Sequence, residues 1–457
     1  MRRRGYLSIA AALAAGTLAL TACSSSGSNS SSSSPSTFGV NATGTVHFWA
    51  RQATDGPAIA LVKEFNKTHK HLKVVLHLTP PNDDTSQLAT AIRAGSPPDV
   101  VGLNDIDVPT FSHEGALMDL TKYINALPYK KSLSPGHLAL ATIGSKYYGL
   151  PYLADLSVLW YNKKLFSEAG LNPNDPPTTW AQVETDAKAI AKLGHGIEGW
   201  GDYSAGNNGG WHFASYMDAL GGTTVNTNNA PPTAAFNNAN GLAILDALHT
   251  LRFTDNAMSA TQGLAWGALQ QQFAAGKLGM YIAAPDDIYN VIVPTDKGNI
   301  NDIGMGPLPS LTGTPAGSLG GGNAYVFAKR DTPAQIEAGI KFIDFEDLTP
   351  GKGTTFNFAR LKADGIPVGF DEPSLFDGAA GAQVTALRNK YSTINQSYYQ
   401  SYVKANEASD GEPFDAQAVY KTLDPMMLAV LTEPNVNIPA LLKTSAANVN
   451  TLLQFSS

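Results

Sequence analysis

The side chains of this sequence that could do chemistry fall into a few short groups. Asp105 with Asp107, Asp286 with Asp287, and Asp344 with Glu346 each set two carboxyls close together. Such pairs can work as general acid and base across a glycosidic bond, or accept hydrogen bonds from the hydroxyl rim of a sugar. Nothing in these pairs sets a general acid apart from an ordinary surface acid. Trp211 follows Asn207-Asn208-Gly209-Gly210, a stretch with little local core for an indole to join. His47, His69, His71 and His77 have no partner cluster at metal-ligand spacing. Cys23 is the only cysteine, so the body of the chain has no thiol nucleophile, disulfide or cysteine-based zinc site.

These residues are carried on an alternation of short strands and longer helices. Strands are read at 45–50, 72–78 and 98–103, with helices over 57–69 and 84–94 between them. That order predicts parallel βαβ units in an open α/β layer. A second set begins with a buried strand at 158–161 and a helix at 163–169. Thr179 with Gln182 three residues on has the form of a capping box. Further helices are predicted at 211–220, 240–251 and 264–275, the last carrying Trp266, and strands at 278–282, 303–305 and 324–328. The end of the chain reads as mostly helical. A body of about 410 residues is too long for one core, so two domains are expected.

Residues 1–22 carry Arg2-Arg3-Arg4 and an apolar run from Leu7 to Leu20, and then comes Thr21-Ala22-Cys23. That order is a secretory signal, and the apolar run is shorter than the roughly 20 residues of a membrane-crossing helix. Leu20-Thr21-Ala22-Cys23 resembles the lipobox of bacterial lipoproteins, which implies a lipid on Cys23 and a place on the extracellular face of the cell membrane. Cleavage by the ordinary signal peptidase would instead leave Cys23 incidental. Arg3-Arg4-Gly5-Tyr6-Leu7 also resembles a twin-arginine export signal. The serine-rich stretch that follows Cys23, through residue 43, has nothing to bury and reads as a tether with a reach on the order of 25 Å. The formal charge is −7, and loss of the signal removes three arginines and no acid. Nucleic acid, which needs a basic footprint, is not an expected partner.

Several phrases then stand in a recognisable order. They include Leu61-Val62-Lys63-Glu64-Phe65-Asn66, Ala94-Gly95-Ser96-Pro97-Pro98-Asp99-Val100, Tyr148-Gly149-Leu150-Pro151 and Leu159-Trp160-Tyr161-Asn162-Lys163-Lys164-Leu165-Phe166. Later come Phe273-Ala274-Ala275-Gly276-Lys277-Leu278-Gly279-Met280 and Gly320-Gly321-Gly322-Asn323. The chain resembles the family 1 extracellular solute-binding proteins, the maltose-binding-like receptors of ABC importers. The resemblance implies an α/β fold of two lobes, the class II-like periplasmic-binding-protein fold, joined by a multi-strand hinge. It implies capture of a carbohydrate, an oligosaccharide above all, with no catalysis and no cofactor, and delivery to the permease subunits of an ABC transporter. A monomer is expected. Lobe one would be residues 44–152 with 318–366, and lobe two 153–317 with 367–457.

The same resemblance implies where the ligand would be held. Arg51, Gln52 and Asp55 follow the first strand, Asn104 and Asp105 the third, and Tyr152 and Asp155 the Tyr-Gly-Leu-Pro phrase. Trp211 and Trp266 would stack on a sugar face, and Gly321, Gly322 and Asn323 would offer backbone donors and close approach. Asp55, Asn104 and Asp105 suit helix caps equally well, and Trp160 and Tyr161 suit a core. Where many members read Met-x-x-x-Gly-x-Trp, this chain reads Met280-Tyr281-Ile282-Ala283-Ala284-Pro285-Asp286. Asp286 and Asp287 thus replace a stacking tryptophan, which suits a different hydroxyl pattern or an amine. Two alternatives stand beside this reading. One is a receptor for a non-sugar solute such as ferric iron, since Tyr398-Tyr399 resembles the adjacent tyrosines of ferric-binding relatives; the other is an extracellular glycosidase.

The role assigned to Cys23 is open to a direct check. Cys23→Ala is expected to move the protein from the membrane fraction to the medium, followed by immunoblot, with ligand affinity unchanged. A variant that stays on the membrane excludes Cys23 as the anchor.

Overall fold

The computed structural model describes residues 42–51, 57–80, 84–370, 375–396, 399 and 411–455. The signal, Cys23, most of the tether, Gln52, Asp55 and Tyr398 lie outside them. Among the described residues no helix is long and apolar enough to cross a membrane.

Strand β1 (Gly44–Arg51) alternates, with Val46, Phe48 and Ala50 wholly buried. It is followed by β2 (Leu72–Thr79), β3 (Val100–Asn104) and β4 (Gly149–Leu156). The chain then passes through Ser157 into a second sheet, made of β5 (Val158–Asn162), β6 (Glu198–Trp200), β7 (Leu278–Ala283) and β8 (Ile303–Gly306). It returns through Ser318 and Leu319 as β9 (Gly320–Phe327). The first sheet has the order β2-β1-β3-β9-β4 and the second β8-β5-β7-β6.

β1 pairs parallel with β2 and β3, as the strand-helix-strand spacing predicts. β9 runs antiparallel to β3 and β4, and β7 and β8 run antiparallel to β5. The sheets are therefore mixed rather than wholly parallel. A strand that arrives from the other lobe, with no crossover helix behind it, is free to enter in the opposite sense.

Each sheet is covered on both faces. Phe48, Tyr325 and Phe327 meet Val62 and Phe65 of the 58–68 helix and Ile340 and Phe342 of the 333–343 helix on one side of the first sheet. Val101, Leu103, Ala324 and Val326 meet Leu88, Val108 and Phe111 on the other. In the second sheet Leu159, Tyr161, Met280 and Ile282 face one cluster, and Val158, Trp160, Tyr281 and Ala283 face another. Trp160 and Tyr161 are wholly buried, in keeping with a strand apolar on both faces. Thr179 and Gln182 close the predicted capping box at the start of the 180–191 helix.

The two crossings are joined to each other. The Ser157 amide donates to the Leu319 carbonyl at 3.1 Å, and the Ser318 hydroxyl donates to the Ser157 carbonyl at 2.7 Å. Both backbone groups of Ser157 are thereby paired, and its hydroxyl meets that of Ser215 at 2.9 Å.

Three expectations are corrected. The first passage between sheets lies at Ser157, since residues 153–156 still pair with β9. The 378–391 helix, expected with the second lobe, packs on the first: Leu375, Phe376, Ala380 and Val384 join the cluster of Phe48 and Phe65. The helix expected from 264 begins at Ala268, because Gly267 at φ 96° breaks it, and Trp266 stands in the turn before it.

Gly322 lies tightly against β4, and a β-carbon there would fall 2.3 Å from the Leu153 carbonyl oxygen. Gly322→Ala is expected to destabilise the protein by about 2 kcal/mol or more, as overpacking does. Chemical denaturation would measure this; an unchanged midpoint would show that the strands can part at no cost.

Candidate functional site

The carboxyl ends of β1 and β3 and the start of β9 meet the second lobe across a cleft. Arg51 ends β1 and donates to the Asn323 side chain through Nη1. Arg51 also lies close enough to Asp286, on the opposite lobe, to favour its charged form. Asn104 turns its side chain back to accept from the Ile106 amide at 3.2 Å, the helix cap that its position allowed. Asp105 is 8% exposed and accepts from the Gly322 amide at 3.2 Å.

The facing wall is built from the 208–219 helix, the loop after β7 and the segment before the 416–432 helix. Trp211 sits in the first turn of the 208–219 helix and packs with Ile106, Leu319, Ala416 and Tyr420, contacts that span both lobes. Its indole hydrogen-bonds Glu412, which also accepts from the Tyr420 hydroxyl. The next residue, His212, is wholly buried and bonds Asp202 at 2.6 Å and the Ile282 carbonyl at 3.1 Å. Tyr216 donates to the same Asp202 at 2.7 Å, so the helix bearing Trp211 is held by a buried polar network. Trp266 hydrogen-bonds Asp287. Asp287 also accepts from Gln270 at 2.8 Å, and Asp286 from Asn290 at 3.2 Å.

Burial dominates the electrostatics. It lifts Asp105 to about 7, with nearby Asp107 adding to the rise and the Gly322 and Ile106 amides opposing it. Burial lifts Asp286 to about 6 against the pull of Asn290 and Arg51. Asp287 is pushed well up by burial and by Asp286, and Glu412 by burial, Asp105 and Asp218. The cleft thus offers indole faces, carboxyl acceptors and one guanidinium, the set a polyol ring needs.

Of the residues singled out in the sequence, Arg51, Asp105, Trp211, Trp266, Asp286, Asp287, Gly321, Gly322 and Asn323 line this region. Asp155 stands opposite Gly321 in the β4–β9 register, and its side chain is outside the description. Tyr152 stacks on Tyr325 at 4.0 Å and lines a cavity of about 210 Å³ together with Tyr289, Asn290 and Phe370. Tyr399 packs edge-on to Phe370 and donates to the Ile303 carbonyl at 3.4 Å, a core position. Glu412, Asp218 and Gln270 were not legible as site residues. The one hint for Glu412 was its loop, Gly411-Glu412-Pro413, which bridges β9 at Gly320.

Comparison with known proteins bears on most of the chain. The family model described as bacterial extracellular solute-binding protein matches residues 51–345. The sn-glycerol-3-phosphate-binding periplasmic protein UgpB of Brucella abortus is 26% identical over 284 residues, 59% of this chain and 62% of that one. The chain therefore spans about three fifths of the length of this curated relative. A Thermotoga lettingae solute-binding protein bound to α-D-tagatose superposes with a TM-score of 0.74 at 21% identity, covering 90% of this chain and 100% of that one. A Listeria monocytogenes ABC substrate-binding protein in complex with cycloalternan gives 0.73 at 18%, with coverage of 90% and 100%. These likenesses establish the two-lobed fold. With the family model matching well over half of its length, the chain belongs to the bacterial extracellular solute-binding proteins.

Proposed function

We propose that this protein captures a carbohydrate, an oligosaccharide above all, between its lobes and delivers it to an ABC import permease. It does so on the outer face of the cell membrane, tethered through Cys23, and without catalysis. The observation that carries the reading is the gathering of these side chains where the two sheets approach each other. Trp211 and Trp266 supply flat faces, and Asp105, Asp286, Arg51 and Asn323 supply acceptors and donors from both lobes. A ligand that touches both walls stabilises the closed state in proportion to that double contact. The proteins of like fold that hold α-D-tagatose and cycloalternan support the class of ligand. The relative that binds sn-glycerol-3-phosphate is a weaker guide, because a phosphate would meet at least four carboxyls and one arginine here.

Protein lacking residues 1–23 is expected to melt at a higher temperature with its sugar, since a ligand at 100 times its Kd adds about 2.7 kcal/mol. A panel of mono- and oligosaccharides that moves the melting temperature nowhere overturns the reading. Asp286→Ala is expected to weaken binding tenfold or more by calorimetry; unchanged affinity removes Asp286 from the site.

A pH dependence follows from the raised carboxyls. Asp105 at about 7 and Asp286 at about 6 lie above their ordinary 3.8. Asp331 at about 7 and Asp344 at about 6 act in the same direction. The folded state holds these protons more tightly than the unfolded chain, so their contribution is complete below about pH 4 and is lost as pH rises through 6 to 7. The unliganded protein is expected to melt lower at pH 8 than at pH 5.5, and Asp105→Asn to narrow the gap. Equal melting temperatures for wild type at the two pH values contradict this.

A further inference from the structure

The cavity that Tyr152 lines has a volume of about 210 Å³ and draws its walls from both lobes. Tyr152, Tyr325 and Phe376 belong to the core of the first lobe, and Tyr289 and Phe370 to that of the second. Tyr152 and Tyr325 lie face to face with ring centroids 4.0 Å apart, and Tyr289 and Phe370 stack at 6.4 Å. We propose that this cavity is a second pocket of the capture site and takes one aromatic ring bearing a hydroxyl, so that the carbohydrate held in the cleft is an aryl glycoside. The proposal rests on the carbohydrate-capture reading above and names the substituent of its ligand.

The position of the cavity makes it a continuation of the cleft. Tyr325 stands two residues beyond Asn323 on β9, so the two share a face of the strand at a spacing of about 7 Å. Asn323 accepts from Arg51 at the cleft wall. On the second lobe, Asn290 lines the cavity and donates to Asp286 Oδ2 at 3.2 Å. One molecule can therefore reach both places, with its sugar at Arg51 and Asp286 and its ring among the tyrosines. A ring that touches walls from both lobes also favours the closed arrangement.

Size and chemistry favour an aromatic ring over a further sugar ring. A cavity of about 150 Å³ is enough to hold benzene. A pyranose carries hydroxyls around its rim, and each one buried without a partner is costly. Most polar groups at the walls are already used. Thr354 donates to the Thr349 carbonyl at 3.0 Å, Asn290 donates to Asp286, and Glu346 and Arg388 each have a partner within the protein. Asn357 differs: its side-chain oxygen is buried and has no hydrogen-bond partner among the described residues. A phenol satisfies that oxygen with a single donor and gives the flanking rings the offset or edge contacts they prefer.

The cavity is tested first without the sugar, by fluorine NMR titration of para-fluorophenol and of fluorobenzene into the protein. The phenol is expected to bind saturably, and Asn357→Leu, close in size, to shift the ratio of the two affinities at least tenfold toward fluorobenzene. Val384→Phe, on the half-buried side of the 378–391 helix, fills the cavity and is expected to abolish binding of both. Either variant serves should the other fail to fold. Calorimetry then compares para-hydroxyphenyl β-D-glucopyranoside and β-cellobioside with the methyl glycosides of the same sugars. The aryl forms are expected to bind at least tenfold more tightly, and Val384→Phe to bring the two forms to the same affinity. A phenol that does not bind, or aryl and methyl forms that bind alike, overturns this inference and leaves carbohydrate capture standing. A phenol that binds while every glycoside fails overturns it together with the capture reading.

Discussion

The structure depends on the pairing of β9 with β4 through a run of three glycines. β9 brings the chain back from the second lobe, and its first residues lie directly against residues 154–156. At Gly322 the approach to the Leu153 carbonyl leaves no room for a β-carbon. That closeness allows the Ser157 and Ser318–Leu319 crossings to bond one another, which defines the hinge. It also directs the Gly322 amide at Asp105 and leaves Gly321 bare beneath Asp105 and Glu412. Hinge and cleft floor are thus one strand pairing, and a side chain at either glycine would disturb both.

Around that floor the lobes carry charge of the same sign. Asp105 on one side and Glu412 with Asp218 on the other are drawn out of water as the walls meet, and burial raises each of the first two toward its neutral form. Apolar contacts among Ile106, Trp211, Leu319 and Tyr420 oppose that cost. The polar network of His212, Asp202 and Tyr216 anchors the 208–219 helix to the lobe behind it.

Much of this was legible locally. The period-two burial of β1, the Thr179–Gln182 capping box and the apolar strand at Trp160 and Tyr161 are set by neighbouring residues, and each forms where the pattern places it. Arg51, Asp105 and the 320–323 run could be named because strand ends and glycines mark themselves. Three things were hidden. The start of the helix after Trp266 turns on a positive φ at Gly267, the packing of the 378–391 helix on the first lobe turns on contacts with Phe48 and Phe65, and the role of Glu412 turns on Asp105. The last two join residues more than 300 positions apart, or join a helix to a core laid down much earlier, and no local period records them. The stacking of Tyr152 on Tyr325 was hidden in the same way, since the two residues are far apart in the chain.

The buried carboxyls also bear on how such a cleft discriminates. First contact with an open lobe can involve only the groups of that lobe, and many sugars would satisfy Arg51 and Asp105 alone. A protein that closes at a cost binds with an affinity reduced by the fraction already closed. A ligand that leaves the facing carboxyls charged and unpaired pays that whole cost. One that hydrogen-bonds them offsets it. Discrimination at such a step would fall to groups that act across both lobes, as Arg51 does on Asp286.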